Sequence, residues 1–150
     1  MTHISAQIVR EAKEWIGTPY LHQCSVKGAG TDCLGLIRGV WRKVYGQEPS
    51  VIPAYTSDWS EPSQDETLLR AAHEFLNPVV DVSVMNAPES SVLVFRMNAK
   101  SVAKHLGILT RSGQAATFVH AYSGHGVVES PLSPPWARRV AGLFEFPERT

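Results

Sequence analysis

The apolar residues of this 150-residue chain repeat at helical spacing in its first half and gather into short β-branched runs in its second. That switch of period constrains the fold more than any single residue does. Between Ser5 and Ile16, the residues Ile8, Ala12, Trp15 and Ile16 fall three and four apart and make one apolar face. Ser5 is placed to cap this helix and Gly17-Thr18-Pro19 to end it. A second helix is predicted to start at Asp32 or Cys33, with Leu34, Ile37, Trp41 and Val44 on one side and Gly46 closing it. A third fits Asp65 to Leu76. Beyond it come runs at Ser91–Met97, His105–Thr110, Ala116–Tyr122, Gly126–Glu129 and Val140–Phe146, with a hairpin turn at Arg111–Gln114. Helices followed by a meander of strands predict an α+β domain with an antiparallel sheet, spanning 1–150 as one domain.

Composition narrows the function classes. Hydrophobic residues are 43% and charged residues 19%, which excludes disorder as a whole-chain reading. Fourteen basic residues balance fourteen acidic ones, against the basic excess expected of a nucleic-acid partner or a polybasic membrane anchor. The longest apolar runs fall far short of the roughly 20 residues a spanning helix needs. Met1 to Arg10 lacks a basic segment followed by an apolar one, so no secretory leader is expected. There is no internal repeat. Gln47 to Glu66 has three prolines, many Ser and Asp and no clear period, and reads as a surface loop anchored by Tyr55 and Trp59.

The sharpest chemical feature is Thr31-Asp32-Cys33-Leu34-Gly35-Leu36. A cysteine in the first turn of a helix meets unpaired N–H groups and the positive end of the dipole, which favour thiolate. The alternative is a small buried hydrophobe, the commoner role for one cysteine taken alone. A thiol nucleophile needs a base, and the base an orienter. His3 and His73 read as terminal and helix-face residues. His105 opens one strand and His120 sits within the next, so hairpin neighbours would set both on one side. His22, Cys24 and Cys33 match no usual zinc spacing, and no metal is expected. A Cys24–Cys33 disulfide would silence Cys33. The sequence has no phosphate loop, no GxSxG elbow and no glycosidase-type acid pair.

In order, Gly17-Thr18-Pro19-Tyr20, Asp32-Cys33-Leu34-Gly35-Leu36, Lys104-His105-Leu106-Gly107-Ile108-Leu109 and Val119-His120-Ala121 resemble the NlpC/P-sixty cell-wall cysteine peptidases over nearly the whole chain. Asp32 to Gly46 with Pro49 to Trp59 resembles the branch encoded in tail modules of phages and gene transfer agents. The family is papain-like: a helix bearing the cysteine packs on an antiparallel sheet bearing the histidines. Leu34 stands where the family usually has serine. Tyr20-Leu21-His22-Gln23-Cys24 replaces its Tyr-x-x-Gly-Gly, and Pro88-Glu89-Ser90-Ser91 its Pro-Gly-Asp.

The resemblance implies Cys33 as nucleophile, His105 as base and His120 as orienter. Tyr20 is implied as a substrate or oxyanion contact, and Asp32 as a helix cap that faces the substrate. No cofactor is implied. The implied reaction is hydrolysis of an amide in peptidoglycan stem peptides, most often between γ-D-glutamate and diaminopimelate. The branch implies a particle made in the cytoplasm, tail-tip or baseplate hub partners, and action at the periplasmic wall. Two other readings share the frame: a catalytically silent tail component, and a thiol-dependent amidase or acyltransferase with a non-wall substrate.

Overall fold

The computed structural model describes residues 2–50 and 65–148. Helix α1 (His3–Glu14) is followed by a two-residue ribbon, β1 (Ser25–Val26) with β2 (Gly30–Thr31). Then come α2 (Cys33–Tyr45), α3 (Thr67–Phe75), β3 (Asn77–Pro78), a 3₁₀ turn at Val84–Asn86 and β4 (Val92–Phe95). The strands β5 (His105–Arg111), β6 (Thr117–Tyr122) and β7 (Gly126–Pro131) follow, then α4 (Pro134–Arg138) and β8 (Val140–Glu145). Six strands form one antiparallel sheet in the order β3-β8-β4-β5-β6-β7. This is the α+β arrangement expected from the change of period.

Each helix carries its apolar stripe inward. Ile8 and Ala12 of α1, Leu36, Val40 and Val44 of α2 and Leu68 and Ala72 of α3 pack with Val92, Val94, Leu106, Ile108, Val119 and Ala121. Those strand residues alternate with a second set, as side chains on a strand must. Leu93, Phe95, Leu109 and Phe118 face the other way and pack under Trp136 of α4. Both faces of the central strands are therefore buried. Each fully buried aliphatic or aromatic side chain contributes about 1.5–3 kcal/mol.

Helix α2 starts and stops where the sequence predicts: Asp32 caps it and Gly46, at φ +88°, ends it. Helix α1 starts two residues earlier than expected. Its cap is Thr2, whose hydroxyl accepts the Ser5 N–H at 3.1 Å, so Ser5 lies inside the first turn and not at the cap. Four short elements escape the pattern: the β1–β2 ribbon, β3, the 3₁₀ turn at Val84–Asn86 and α4. The stretch 51–64, with Tyr55 and Trp59, lies outside the described residues.

Candidate active site

Cys33 is the first residue of α2, and its position is fixed by the cap before it. Asp32 is 2% exposed, and its two carboxylate oxygens accept the N–H of Gly35 at 2.8 Å and of Gln23 at 2.7 Å. The second bond ties the helix start to the turn before β1. Gln23 holds a left-handed φ of +64° there, a conformation that favours glycine. Gly35 is required by packing: a Cβ there would lie 2.0 Å from the Cys24 carbonyl oxygen. Cys24 and Cys33 are both free thiols.

The histidines come from β5 and β6. His105 Nε2 and His120 Nδ1 lie 2.8 Å apart and share one hydrogen bond. Gly107 permits this approach, because a side chain there would meet the Phe118 ring at 2.9 Å and His120 Cβ at 3.4 Å. His120 Nε2 is 2.9 Å from Ser130 Oγ on β7. Phe95, Phe118, Tyr122 and Trp136 surround the pair, with the Trp136 ring 5.7 Å from His105 and 5.1 Å from His120.

Cys33 and His105 open on one cleft of about 160 Å³, lined also by Tyr20, His22, Asp32, Met97, Lys104, Ala121, Tyr122 and Ser123. The structure thus brings Tyr20, Asp32, Cys33 and His105 to one cavity, with His120 behind His105. His125 stacks on Tyr122 at 4.9 Å, on the exposed side, and does not line the cleft. His3 and His73 lie elsewhere. Among the described residues no cluster of three or more His, Cys, Asp or Glu is arranged to hold a metal.

The electrostatics differ from the sequence expectation at one point. The helix start was expected to make Cys33 a low-pKa thiol. Burial instead pushes it up to about 12, and the Asp32 carboxylate adds to the rise. The backbone N–H groups of Leu106, Leu34 and Cys33 oppose it without prevailing. The resting thiol points its proton at the Lys104 carbonyl, 3.7 Å away. Burial also lowers His105 to about 3, helped by His120, and lowers His120 to about 4, helped by His125. Tyr20 is raised to about 12 by burial first, then by Cys33 and Asp32, so its hydroxyl keeps its proton as a donor. The resting site is a neutral thiol beside a neutral imidazole. Desolvation outweighs the helix dipole because an ion in a dry pocket loses several kcal/mol of hydration, whereas the dipole supplies about 0.3–2 kcal/mol.

A peptidoglycan hydrolase, SagA, has an NlpC/p60 domain of known structure that superposes with a TM-score of 0.63 at 22% identity, over 95% of this chain and 98% of that domain. The chain has the NlpC/P-sixty fold. A Staphylococcus aureus protein described as similar to lipoprotein, of the NLP/P60 family, matches this fold with a TM-score of 0.61 at 19% identity, over 99% of the chain and 43% of its own length. A γ-DL-glutamyl hydrolase of Bacillus subtilis (strain 168) is 26% identical over 144 residues, 95% of this chain. The chain spans 30% of that relative's length. No protein-family model matches the chain. These likenesses support the family resemblance carried by the four motifs.

Two residues of the site were not legible beforehand. Trp136 sits on a five-residue helix with two prolines, too short to show a period. Ser130 lies just past the predicted run Gly126–Glu129, in a strand that continues to Pro131. Only the register, with Phe118 opposite Ser130 and Val128 opposite His120, puts it on the histidine side of the sheet.

Proposed function

We propose that the chain is a cysteine peptidase that hydrolyses the amide between γ-D-glutamate and diaminopimelate in peptidoglycan stem peptides. The observation that carries this reading is the convergence of Cys33 and His105 on one cleft, with His105 bonded to His120 at 2.8 Å. The γ-glutamyl bond named for the Bacillus relative supports the choice of amide. In this reading His105 takes the thiol proton as sulfur attacks the carbonyl carbon, so that charge separates only as the bond forms. The oxyanion receives hydrogen bonds from the Cys33 N–H and the Tyr20 hydroxyl; losing one such donor lowers rate about 10²–10³-fold. His105 then gives its proton to the leaving amine. Water, deprotonated by the same imidazole, releases the acyl group and restores the thiol.

The test is digestion of purified sacculi with mass analysis of the fragments. New free amines on diaminopimelate, absent with Cys33→Ala, are expected. Intact sacculi would point to a silent component, and cleavage confined to other amides to a different hydrolase. We also propose that the enzyme is carried by a phage-like tail, made in the cytoplasm and delivered to the periplasmic wall beside tail-tip or hub proteins. The support is the tail-module resemblance of Asp32–Gly46 and Pro49–Trp59. Mass spectrometry of purified particles should find the chain at a fixed ratio to the hub proteins; its absence there would refute the tail role and leave the chemistry untouched.

A further inference from the structure

His120 is completely buried, and its two ring nitrogens are committed to different partners: Nδ1 to His105 at 2.8 Å and Nε2 to Ser130 Oγ at 2.9 Å. Proton bookkeeping gives this line of groups a direction. When His105 accepts the thiol proton it becomes an imidazolium with a proton on each nitrogen. Its Nε2–H must then be donated to His120 Nδ1, so His120 must hold its own proton on Nε2. That second N–H lies among Phe118, Tyr122 and Trp136, where a donor without an acceptor is strongly disfavoured. Ser130 Oγ stands at that position.

We propose that Ser130 is a positioning residue that ends a Cys33–His105–His120 chain by accepting the His120 Nε2–H. The proposal rests on the reading of Cys33 and His105 as the reacting pair. Ser130 touches neither thiol nor cleft and acts through His120 alone. With the His120 proton on Nε2, His105 keeps its own on Nε2 and leaves Nδ1 to take the thiol proton. With the opposite tautomer, His120 would donate to His105, force the His105 proton onto Nδ1 and remove the base. A hydroxyl also differs from a carboxylate in carrying no charge. It can accept the His120 Nε2–H that the proton bookkeeping requires while leaving both imidazoles neutral at rest, in agreement with their lowered protonation.

The test compares wild type, Ser130→Thr, Ser130→Val and Ser130→Ala as full-length chains. Threonine keeps the hydroxyl, and valine matches its shape without it. Long-range ¹H–¹⁵N spectra of histidine-labelled protein report the His120 tautomer. Hydrolysis of a γ-D-glutamyl-diaminopimelate peptide gives kcat and KM. The Nε2–H tautomer is expected in wild type and Ser130→Thr. The two variants without hydroxyl should lose tenfold to a hundredfold in kcat, with KM within twofold and the tautomers mixed. A wild-type His120 protonated on Nδ1 would overturn the proposal, as would a Ser130→Val chain with the wild-type tautomer and kcat. A wild-type chain that leaves the peptide uncut yet shows the Nε2–H form, mixed in Ser130→Val, overturns the proposed substrate and supports the relay.

Discussion

The two faces of the same strands are built from different materials. Toward α1, α2 and α3 the strands β4, β5 and β6 present Val92, Val94, Leu106, Ile108, Val119 and Ala121, all aliphatic, and β8 adds Phe144. Toward α4 it presents Phe95, Phe118, His120 and Tyr122 under Trp136, with His105 at the lip. Aliphatic side chains from long helices interlock and supply most of the apolar burial. Flat rings around two imidazoles exclude water and fix ring planes, which matters for proton transfer and less for total stability. One face holds the molecule together and the other holds two nitrogens 2.8 Å apart.

Substitutions on the two faces should separate the two jobs. The largest effects belong to the histidines. His105→Ala should reduce single-turnover hydrolysis of a stem peptide by about 10⁴-fold. His120→Ala should cost about 10²-fold and His125→Ala little, each with native circular dichroism. Equal losses at His105 and His125, with His120→Ala near wild type, would put the orienter on the wrong ring. On the aliphatic face, Ile108→Ala should destabilise by about 2–5 kcal/mol in urea titrations while the folded fraction keeps its kcat. Trp136→Ala should do the reverse, losing more in kcat than in stability.

Acid should act through the aromatic face. Both imidazoles are held below their ordinary value of 6.5, His105 at about 3 and His120 at about 4. Between pH 6.5 and 4 the unfolded chain binds protons that the folded chain refuses. Stability is therefore full above pH 6.5 and falls as pH drops toward 4, by on the order of a few kcal/mol. Thermal melts against pH should show this slope, and Trp136→Ala, by admitting water, should flatten it. The thiol gives a smaller effect of opposite sense. Because burial raises Cys33, its alkylation by iodoacetamide should climb steadily above pH 8; a plateau reached by pH 6 would restore the low-pKa thiol. Smallest of all, Gln23→Gly should stabilise by about 0.5–1 kcal/mol through relief of the left-handed backbone, seen as a small rise in melting temperature.

The aliphatic face was legible in the sequence and the aromatic face only in part. Ile8, Ala12, Ile37 and Val44 announce themselves by spacing, since a helix long enough to repeat its stripe cannot hide it, whereas the predicted face of α2 also took in Leu34 and Trp41, only partly buried, and passed over Leu36 and Val40. The β-branched runs announce β4 to β8 for the same reason. Cys33 with its Asp32 cap, and His105 and His120 on adjacent strands, were visible because caps and hairpins are local. Ser130 and Trp136 were not, since they reach His120 across a strand register and from a single helical turn. The protonation of Cys33 was misread because the dipole is a property of its own helix, whereas the dehydration that overrides it comes from strands some 70 residues away.

That separation has a consequence for how the protein is made. Cys33 leaves the ribosome 72 residues before His105, which at 5–20 residues per second is roughly 4–14 seconds. For that interval the nascent chain carries Cys33 without His105, and the strands that will bury its sulfur have not yet been synthesised. Under the proposed function, competence to cut requires that β5 and β6 have paired to bring His105 against His120. Under the proposed function, copies that end before His105 lack the base, so the order of the motifs along the chain withholds the chemistry until the sheet is made.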